Sequence, residues 1–436
     1  MSFLFTKTPL LFLVQSFWRD EAFSFILAKR DLGQIFLLTA KDFNPPLYYI
    51  FLHYWMKIFG GTEVAIRGLS FIFYLIIIYV AFIFLKDILK LNPSKASFYI
   101  LFLVINPQLV YYAFEARMYT QLAAFATLSF YFFYKKKYKL YIITTVLALY
   151  TNYFAVFIPL IQIVASFLLD LKQKDKQKLI KSICISFALF LPWLLFVIFS
   201  KNLHDFSSFW LTKETWATII EVPAIIYTGY ERSFDFFNKS VLNFSAILIL
   251  LLIVGWLTLS KKNIEEKKIY LYLLLWGVAI PVICALVSFF YPVFLSRYLI
   301  FCAVGLVILI IYVLDRLPIV PKILIITLMF FLTLNYQRNV IKYRQKADLR
   351  KTIGEIKYLA KKNDYLYVTN ELDFFTAQYY FGEDRVFIYG KSYDKLPSYV
   401  GRVLIPKEKV VNILPQYPQK AFILQSSGQY EIAAVY

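Results

Sequence analysis

The segment LYYIFLHYWMKIF, Leu47–Phe59, decides how the rest of this chain is arranged relative to a membrane. Thirteen residues form about 20 Å of helix, whereas the hydrocarbon core of a bilayer is about 30 Å thick. The segment also carries Lys57, His53 and Trp55, side chains that are typical of a membrane interface. We therefore predict a helix that lies in the interface and ends at the glycine pair that follows it.

Longer apolar segments surround this helix and identify an integral membrane protein. The chain has 436 residues, of which 60% are hydrophobic and only 17% charged, and apolar runs close to spanning length recur along it. The predicted spans are 2–17, 65–85, 96–112, 118–134, 140–150, 153–170, 182–200, 241–260, 269–290, 298–315 and 323–336.

The distribution of basic residues orients these spans. Eighteen lysine and arginine residues crowd one set of loops, namely 86–95, 135–139, 171–181, 261–268 and 316–322. Only two occur in the loops between them, 113–117, 151–152 and 291–297. By the positive-inside rule the first set is cytoplasmic, and a span at 47–59 would reverse every later loop. The net charge of +20 then belongs to membrane-flanking loops, so no nucleic-acid partner is expected.

The first outer loop and the two ends of the chain have their own character. Segment 2–17 lacks a small-residue cleavage site and resembles a retained signal anchor, although it is short and suggests a longer native N-terminus. Residues 22–40 predict a second amphipathic interfacial helix. The outer segment 201–240 contains no predicted span.

The tail changes composition after about residue 336. An amphipathic helix over 345–362 precedes predicted strands at 364–369, 385–390, 420–425 and 430–436, with another helix at 372–381. The predicted fold is thus an α-helical multi-pass membrane protein with about eleven spans, interfacial helices in the first outer loop and a small C-terminal α/β soluble domain. The predicted domains are a transmembrane domain, 1–336, and an extracytoplasmic domain, 337–436.

Polar side chains collect at the outer ends of the predicted spans, whereas span interiors carry almost no ionisable groups. They are Asp20, Glu21, Asp42, Asn44, Arg67, Glu115, Arg117, Tyr119, Asn152, Arg297 and Tyr298. Their common membrane depth predicts a pocket for a substrate with a lipid tail and a polar head. An ion-coupled transporter would instead hold acids or bases near the bilayer midplane.

Each of these residues also has an ordinary structural interpretation. Asp20 and Glu21 suit the first turn of a helix, where carboxylates interact favourably with free N–H groups and the helix dipole. Asp42 suits a turn before the double proline, and Glu115 can pair with Arg117. The joint pattern is more specific than any single residue.

Six motifs in order resemble the GT-C-fold glycosyltransferases, in particular the bacterial, family 39-like relatives of dolichyl-phosphate-mannose protein mannosyltransferases and of lipid A aminoarabinose transferase. The motifs are WRDEA (18–22), DFNPPLYY (42–49), FGGTEVAIRGLS (59–70), NPQLVYYAFEARMY (106–119), YTNYF (150–154) and SRYL (296–299). The resemblance covers residues 18–170 well, is thinner to about 336 and is weak in the tail. The chain departs from the family's usual residues at Asn44 and Asn152, where histidine is usual, and at Gly68-Leu69, where Leu-Pro is usual.

The resemblance implies an inverting transferase that moves a sugar from a polyprenyl-phosphate donor to an acceptor hydroxyl on the extracytoplasmic face. It implies Asp20 as the catalytic base, Arg117 or Arg297 as the ligand of the leaving phosphate, and substrate binding for the other polar residues. The acceptor can be a protein, a glycolipid or a glycan. The resemblance implies no cofactor, and the cysteines and histidines form no metal-binding spacing, but carboxylates alone can hold a divalent metal.

Two other functions fit part of the pattern. A polysaccharide ligase or polymerase that uses lipid-diphosphate sugars would also present arginines at the outer face, but it would not need the paired acids of the first outer loop. A transporter of lipid-linked sugars would explain the spans, but not the shortage of midplane charges.

Overall fold

The computed structural model describes residues 3–200, 211–231, 238–259 and 264–435. These ranges leave out parts of two predicted loops, the outer segment 201–240 and the basic loop 261–268. They also leave out residue 2 of segment 2–17 and residue 436 of segment 430–436. Within them, six helices are long and apolar enough to cross a membrane, and a bent helix pair is a seventh candidate. The chain is an integral membrane protein; the number of about eleven spans stays a prediction.

The helices that precede the C-terminal sheet are α1 (Leu4–Lys7), α2 (Leu11–Val14), α3 (Arg19–Ala28), α4 (Leu32–Lys41), α5 (Leu47–Phe59), α6 (Glu63–Asp87), α7 (Pro93–Tyr99), α8 (Leu101–Val104), α9 (Pro107–Ala113), α10 (Tyr119–Tyr134), α11 (Tyr138–Leu149), α12 (Phe157–Leu168), α13 (Gln173–Ser200), α14 (Trp216–Thr228), α15 (Asn238–Leu259), α16 (Ile264–Leu274), α17 (Ile280–Val287), α18 (Ile300–Arg316) and α19 (Ile319–Tyr343). Short 3₁₀ turns, Tyr153–Val156 and Ser296–Leu299, lead into α12 and α18. A π-helical turn, Leu275–Ala279, joins α16 to α17.

Helix α18 lies at the centre of the bundle. In the most apolar stretch of Ser296–Arg316, 89% of the residues are buried. Two glycines let it approach the α16–α17 segment closely. A Cβ on Gly277 would lie 2.4 Å from the nitrogen of Leu306, and a Cβ on Gly305 would lie 2.6 Å from Cγ of Trp276. The first turn of α10 meets the 3₁₀ turn before α18, because the ring centres of Tyr119 and Tyr298 are 6.2 Å apart.

The prediction of a helix at Leu47–Phe59 is confirmed with the same bounds, and Gly60 ends it with a φ of 80°. The predicted span 2–17 is wrong for the residues described. Thr8 is extended and Pro9 follows it, so α1 and α2 are separate helices of four residues each.

Two further predicted helices are broken by local signals. The single helix expected at 22–40 is two, because the carboxylate of Asp31 accepts from the nitrogen of Gln34 at 2.9 Å and begins α4. The span expected at 96–112 bends by 69° between α8 and α9. There Asn106 caps a new helix whose first residue is Pro107.

An apolar helix, α14, lies within segment 201–240, where no membrane span was predicted. It packs against α15, α17 and α18, and most of its second half is buried. Its thirteen residues include Glu221 and Pro223, which interrupt the hydropathy pattern and explain why the sequence did not reveal it.

The tail forms the predicted α/β unit. Helix α20 (Leu349–Leu359) is followed by β1 (Tyr365–Val368), α21 (Phe374–Phe381), β2 (Val386–Tyr389), β3 (Val410–Val411), β4 (Ala421–Leu424) and β5 (Tyr430–Ala433). The sheet order is β3-β2-β1-β4-β5, with β1 to β4 parallel and β5 antiparallel to β4. Strand β3 was not predicted. Helix α19 continues past residue 336, and the division at 336/337 stays a prediction.

Candidate active site

A cavity of about 410 Å³ lies where α3, the α4–α5 loop, the start of α10 with the loop before it, the 3₁₀ turn before α18, and the tail come together. Seven of the eleven sequence-predicted site residues line it: Asp20, Asp42, Asn44, Arg117, Tyr119, Arg297 and Tyr298. The structure thus brings these seven residues, which come from separated stretches of the sequence, together at one cavity.

The acids of the cavity come from the two ends of the α3–α4 pair. Asp20 lies in the first turn of α3 and is partly exposed. Within the described ranges, its carboxylate forms no hydrogen bond or ion pair, although its backbone oxygen accepts from Ser24 at 2.9 Å. Asp42 is the C-cap of α4 and is buried. Asp20 is therefore the carboxylate that is better placed to take a proton from a bound molecule.

Arg117 is a buried guanidinium in the loop between α9 and α10. The hydroxyl of Ser70 donates to its carbonyl at 3.3 Å, and its Nη1 lies 3.4 Å from the hydroxyl of Tyr49. No acceptor for its Nε is found in the part of the chain that the structure describes. Burial opposes its charge, but Tyr49, Tyr119 and Asp20 raise the pKa of Arg117 above its ordinary value. It thus supplies a permanent positive charge to the cavity wall.

Arg297 brings a second guanidinium to the cavity from the turn before α18. The amide of Gln108 donates to the carbonyl of Ser296 at 2.7 Å and holds this turn. Nη1 of Arg297 lies 3.8 Å from Oε1 of Glu231. Tyr119 and Tyr298 line the cavity with these arginines, and the guanidinium of Arg117 lies 6.0 Å from the ring centre of Tyr119.

Asn44 and Asn152 are linked, but only the first lines the cavity. Nδ2 of Asn152 donates to Oδ1 of Asn44 at 3.4 Å. Oδ1 of Asn152 accepts from the nitrogen of Phe154 at 2.9 Å, which begins the 3₁₀ turn before α12. Asn152 therefore orients Asn44 from behind.

Glu21 and Arg67 form a buried ion pair behind the cavity. The Nε and Nη2 atoms of Arg67 donate to the two carboxylate oxygens of Glu21 at 2.7 and 2.8 Å. Arg67 also donates to the carbonyls of Leu13 and Gln15, at 2.9 and 2.7 Å. Burial would raise the pKa of Glu21, but Arg67 and Lys346 hold it below the ordinary value. The pair fixes α3 on α6 and does not line the cavity.

Lys346 completes this buried cluster, and sequence reasoning missed it. Its Nζ lies 2.9 Å from Glu21 and 3.6 Å from Glu115. Burial raises the pKa of Glu115 above its ordinary value, and Lys346 opposes that shift. Glu115 is therefore paired with Lys346, and not with Arg117 as the sequence suggested. A basic residue just after an apolar helix was the only signal for Lys346.

Glu231 and Arg344 were also missed, and they lie behind Arg297. Oε1 of Glu231 accepts from the hydroxyl of Tyr112 at 3.0 Å, and Nη2 of Arg344 lies 3.5 Å from it. Burial would raise the pKa of Glu231, but Arg297 and Arg344 hold it below the ordinary value. Both arginines therefore face a carboxylate that remains charged at neutral pH.

The tail closes part of the cavity, a role that the sequence did not suggest. Its lining residues are Leu372, Phe375, Tyr399, Val400 and Gly401. Gly401 has a φ of +80°, and a Cβ there would lie 2.7 Å from Phe23. Glycine is therefore required for this close approach to α3. Arg19 links α3 to the tail, because its Nε lies 2.9 Å from Oδ1 of Asp373.

Metal binding at this site would depend on few ligands. In the described ranges, no three histidine, cysteine, aspartate or glutamate side chains come together as a metal site would require. Of the carboxylates named above, Asp20 and Asp42 line the cavity and could contribute to a divalent cation, which prefers oxygen ligands.

The chain has the fold of a multi-pass membrane protein with a C-terminal α/β unit. It is similar to the crystal structure of ArnT from Cupriavidus metallidurans in the apo state, with a TM-score of 0.66, 13% sequence identity, and coverage of 96% of this chain and 91% of that chain. The crystal structure of the same ArnT bound to undecaprenyl phosphate has a TM-score of 0.64 with the same identity and coverage. The GT-C fold implied by the motifs is thus confirmed. No protein-family model and no curated protein matches the chain.

Proposed function

We propose that this chain is an inverting glycosyltransferase that moves a sugar from a polyprenyl-phosphate donor to an acceptor hydroxyl. The observation that carries the proposal is the cavity itself, where a carboxylate without a side-chain partner in the described part of the chain, Asp20, shares the lining with Arg117 and Arg297. The similarity of the fold to an ArnT structure bound to undecaprenyl phosphate supports a lipid-phosphate donor.

The reaction needs one base and one stabilised leaving group. Asp20 accepts the proton of the acceptor hydroxyl as its oxygen attacks the anomeric carbon of the donor. The new C–O bond forms while the bond from that carbon to the phosphate oxygen breaks on the opposite face, so the configuration inverts. A retaining mechanism would instead pass through a covalent glycosyl-enzyme intermediate.

The leaving polyprenyl phosphate carries the electron pair of the broken bond. Arg117 and Arg297 neutralise its charge through charge-assisted hydrogen bonds in a cavity that is partly screened from water. Neither arginine has to give up a proton, because phosphate is already a good leaving group. No general acid is therefore required.

The other predicted site residues either bind the sugar or position the residues that do the chemistry. Asp42 and Asn44 line the cavity and can accept hydrogen bonds from sugar hydroxyls. Glu21, Arg67, Glu115 and Asn152 are positioning residues, because they contact the elements that carry Asp20, Arg117 and Asn44.

The orientation of the chain is part of the proposal. The concentration of lysine and arginine in alternate loops supports a cavity, and a tail domain over residues 337–436, on the extracytoplasmic side. In that orientation the donor reaches the cavity from the bilayer, and the acceptor reaches it from the aqueous side or from the membrane surface.

The test is an assay of the purified chain in detergent or nanodiscs with a panel of polyprenyl-phosphate sugars. The proposal expects release of polyprenyl phosphate and a new glycoside of inverted configuration, without any nucleotide sugar. Release of polyprenyl diphosphate from lipid-diphosphate sugars would instead indicate the ligase or polymerase. Movement of intact lipid-linked sugar across proteoliposomes, without cleavage, would indicate a transporter. Parallel reactions with EDTA test the divalent metal.

A further inference from the structure

The tail contains another cavity, at the carboxyl edge of its sheet. Its volume is about 750 Å³, and it is a shallow depression that is largely open to solvent. Residues that directly follow three adjacent parallel strands line it: Thr369, Asn370 and Glu371 after β1, Lys391 after β2, and Gln425, Ser426 and Ser427 after β4. We call this cavity the sheet-edge crevice.

The strand order brings these lining segments together at one edge of the sheet. From β1, the chain proceeds to β2 and β3 on one side of the sheet, and it returns to place β4 on the other side of β1. The segments that follow β1 and β4 lie side by side at this edge, where the first leads into α21 and the second turns back into β5. Nδ2 of Asn370 donates to Oγ of Ser426 at 2.8 Å across this point, and Ser426 donates to Asp373 at 3.1 Å.

The chemistry of the crevice selects against charged and apolar ligands. Its one acid and one base, Glu371 and Lys391, are paired with each other, and the rest of its polar lining is hydroxyl and amide. An anion would approach the carboxylates of Glu371 and Asp373 without surplus positive charge. An apolar ligand would remove water from hydroxyl and amide groups and offer them no hydrogen bonds. A neutral ligand with many hydroxyls satisfies the lining.

The crevice adjoins the cavity described above. Leu372 lines both of them, and the Asp373 that accepts from Ser426 also accepts from Arg19, which lines the first cavity. A chain-like molecule that lies in the crevice can thus extend past Leu372 towards Asp20.

We propose that the sheet-edge crevice, formed by the segments after β1, β2 and β4 and adjoining the Asp20 cavity at Leu372, binds a neutral saccharide portion of the acceptor. The proposal rests on the transferase function proposed above, and it makes the acceptor a glycan or a glycolipid rather than an unmodified protein. The tail is then the acceptor-binding part of the molecule.

The test is a binding titration with the full chain in detergent. The probes are fluorescently labelled neutral oligosaccharides of glucose, galactose, mannose and N-acetylglucosamine, two to six sugars long. At least one probe is expected to bind, and the double variant Gln425→Ala/Ser427→Ala is expected to weaken its binding about tenfold, as expected for the loss of one or two hydrogen bonds to the saccharide. Both side chains are exposed, and in the described residues that of Gln425 forms no hydrogen bond, so the substitutions leave the fold intact.

Two more variants make the titration specific. Asn370→Ala removes a lining amide together with its hydrogen bonds to Ser426 and Leu372, and is expected to weaken binding by at least a similar factor. Asn412→Ala is the matched control, because Asn412 is an exposed amide that follows β3 at the same edge but does not line the crevice. Equal binding by wild type and the double variant, or no binding of any probe by wild type, would overturn the proposal.

The experiments distinguish a failure of the crevice proposal from a failure of the transferase proposal. Asp20→Asn is expected to abolish transfer and to leave probe binding unchanged. If wild type cleaves no donor but the double variant still loses probe binding, the crevice proposal stands and the transferase proposal fails. If wild type transfers sugar and the double variant has an unchanged KM for the acceptor, the crevice proposal fails alone.

Discussion

Asp20 and Glu21 are neighbours in sequence, yet the structure gives them opposite surroundings. Asp20 lines the cavity, and its carboxylate forms no hydrogen bond or ion pair with the residues described. Glu21 is fully buried, and it accepts from Trp18, Arg67, Ala116 and Lys346 at 2.7 to 3.0 Å. One acid is available for chemistry, while the other holds four parts of the chain together.

The difference follows from helix geometry. Consecutive residues of an α-helix point about 100° apart, so a helix that lies at the edge of a cavity turns one side chain to the cavity and the next to the protein. The buried cluster joins α3 to α6, to the α9–α10 loop and to the segment after α19. The buried cluster therefore fixes both α3, which carries Asp20, and the α9–α10 loop, which carries Arg117.

The largest effect is expected when the cavity acid is neutralised. Asp20→Asn keeps the shape of the side chain but removes the base, and we expect transfer to fall by about 10² to 10⁴-fold. The measurement is the initial rate of polyprenyl-phosphate release at saturating donor. The thermal unfolding temperature should stay unchanged, because the carboxylate makes no ion pair in the described part of the chain. Full activity would reduce Asp20 to a helix-end residue.

The buried acid should respond in the opposite way. Glu21→Gln leaves Arg67 and Lys346 buried without their counter-charge, so we expect a loss of about 3–5 kcal/mol in the free energy of unfolding. The measurement is unfolding in detergent, followed by tryptophan fluorescence. A stable variant with normal unfolding and impaired transfer would contradict the structural role and place Glu21 in substrate binding.

The acid dependence of stability gives a second measurement on Glu21. Its pKa is lowered in the folded chain from an ordinary value of 4.5, so its contribution to stability is complete above that pH. Below pH 4.5 the unfolded chain binds a proton that the folded chain does not, and the contribution falls as the pH approaches the folded pKa. Glu21→Gln should remove this part of the acid dependence, and an unchanged pH profile would contradict the pairing.

The same two residues show how far the sequence could lead. Hydropathy and loop charges predicted the class of fold, and the motif order predicted which polar stretches meet. They placed both Asp20 and Glu21 at the pocket, because which of the two faces the cavity depends on the rotation of α3 by one residue. They also missed Lys346, Arg344 and Glu231, whose ion-pair partners lie far away along the chain, up to 325 residues for Lys346 and Glu21. Long-range ion pairs leave no local pattern.

Arg297→Ala tests the basic side of the cavity. If its guanidinium binds the donor phosphate, the KM for the donor should rise by about 10–100-fold, as expected for the loss of a hydrogen bond between charged groups. The KM for the acceptor should change little. Arg316→Ala, at the other end of α18, is the matched control and should leave both constants unchanged. Equal increases in both constants for Arg297→Ala would indicate that the residue holds the fold rather than the donor.

The smallest effect is expected at the surface contact between the tail and the first helices. Nζ of Lys29 lies 2.7 Å from Glu383, but the lysine side chain is 57% exposed, so water and salt screen the pair. Lys29→Ala should therefore cost at most about 1 kcal/mol of unfolding free energy and leave transfer unchanged. Since Arg30 also contacts Glu383, at 3.0 Å, the carboxylate keeps one partner in the variant. A loss as large as that of Glu21→Gln would mean that burial does not decide the strength of these ion pairs, and the contrast between the two clusters would fail.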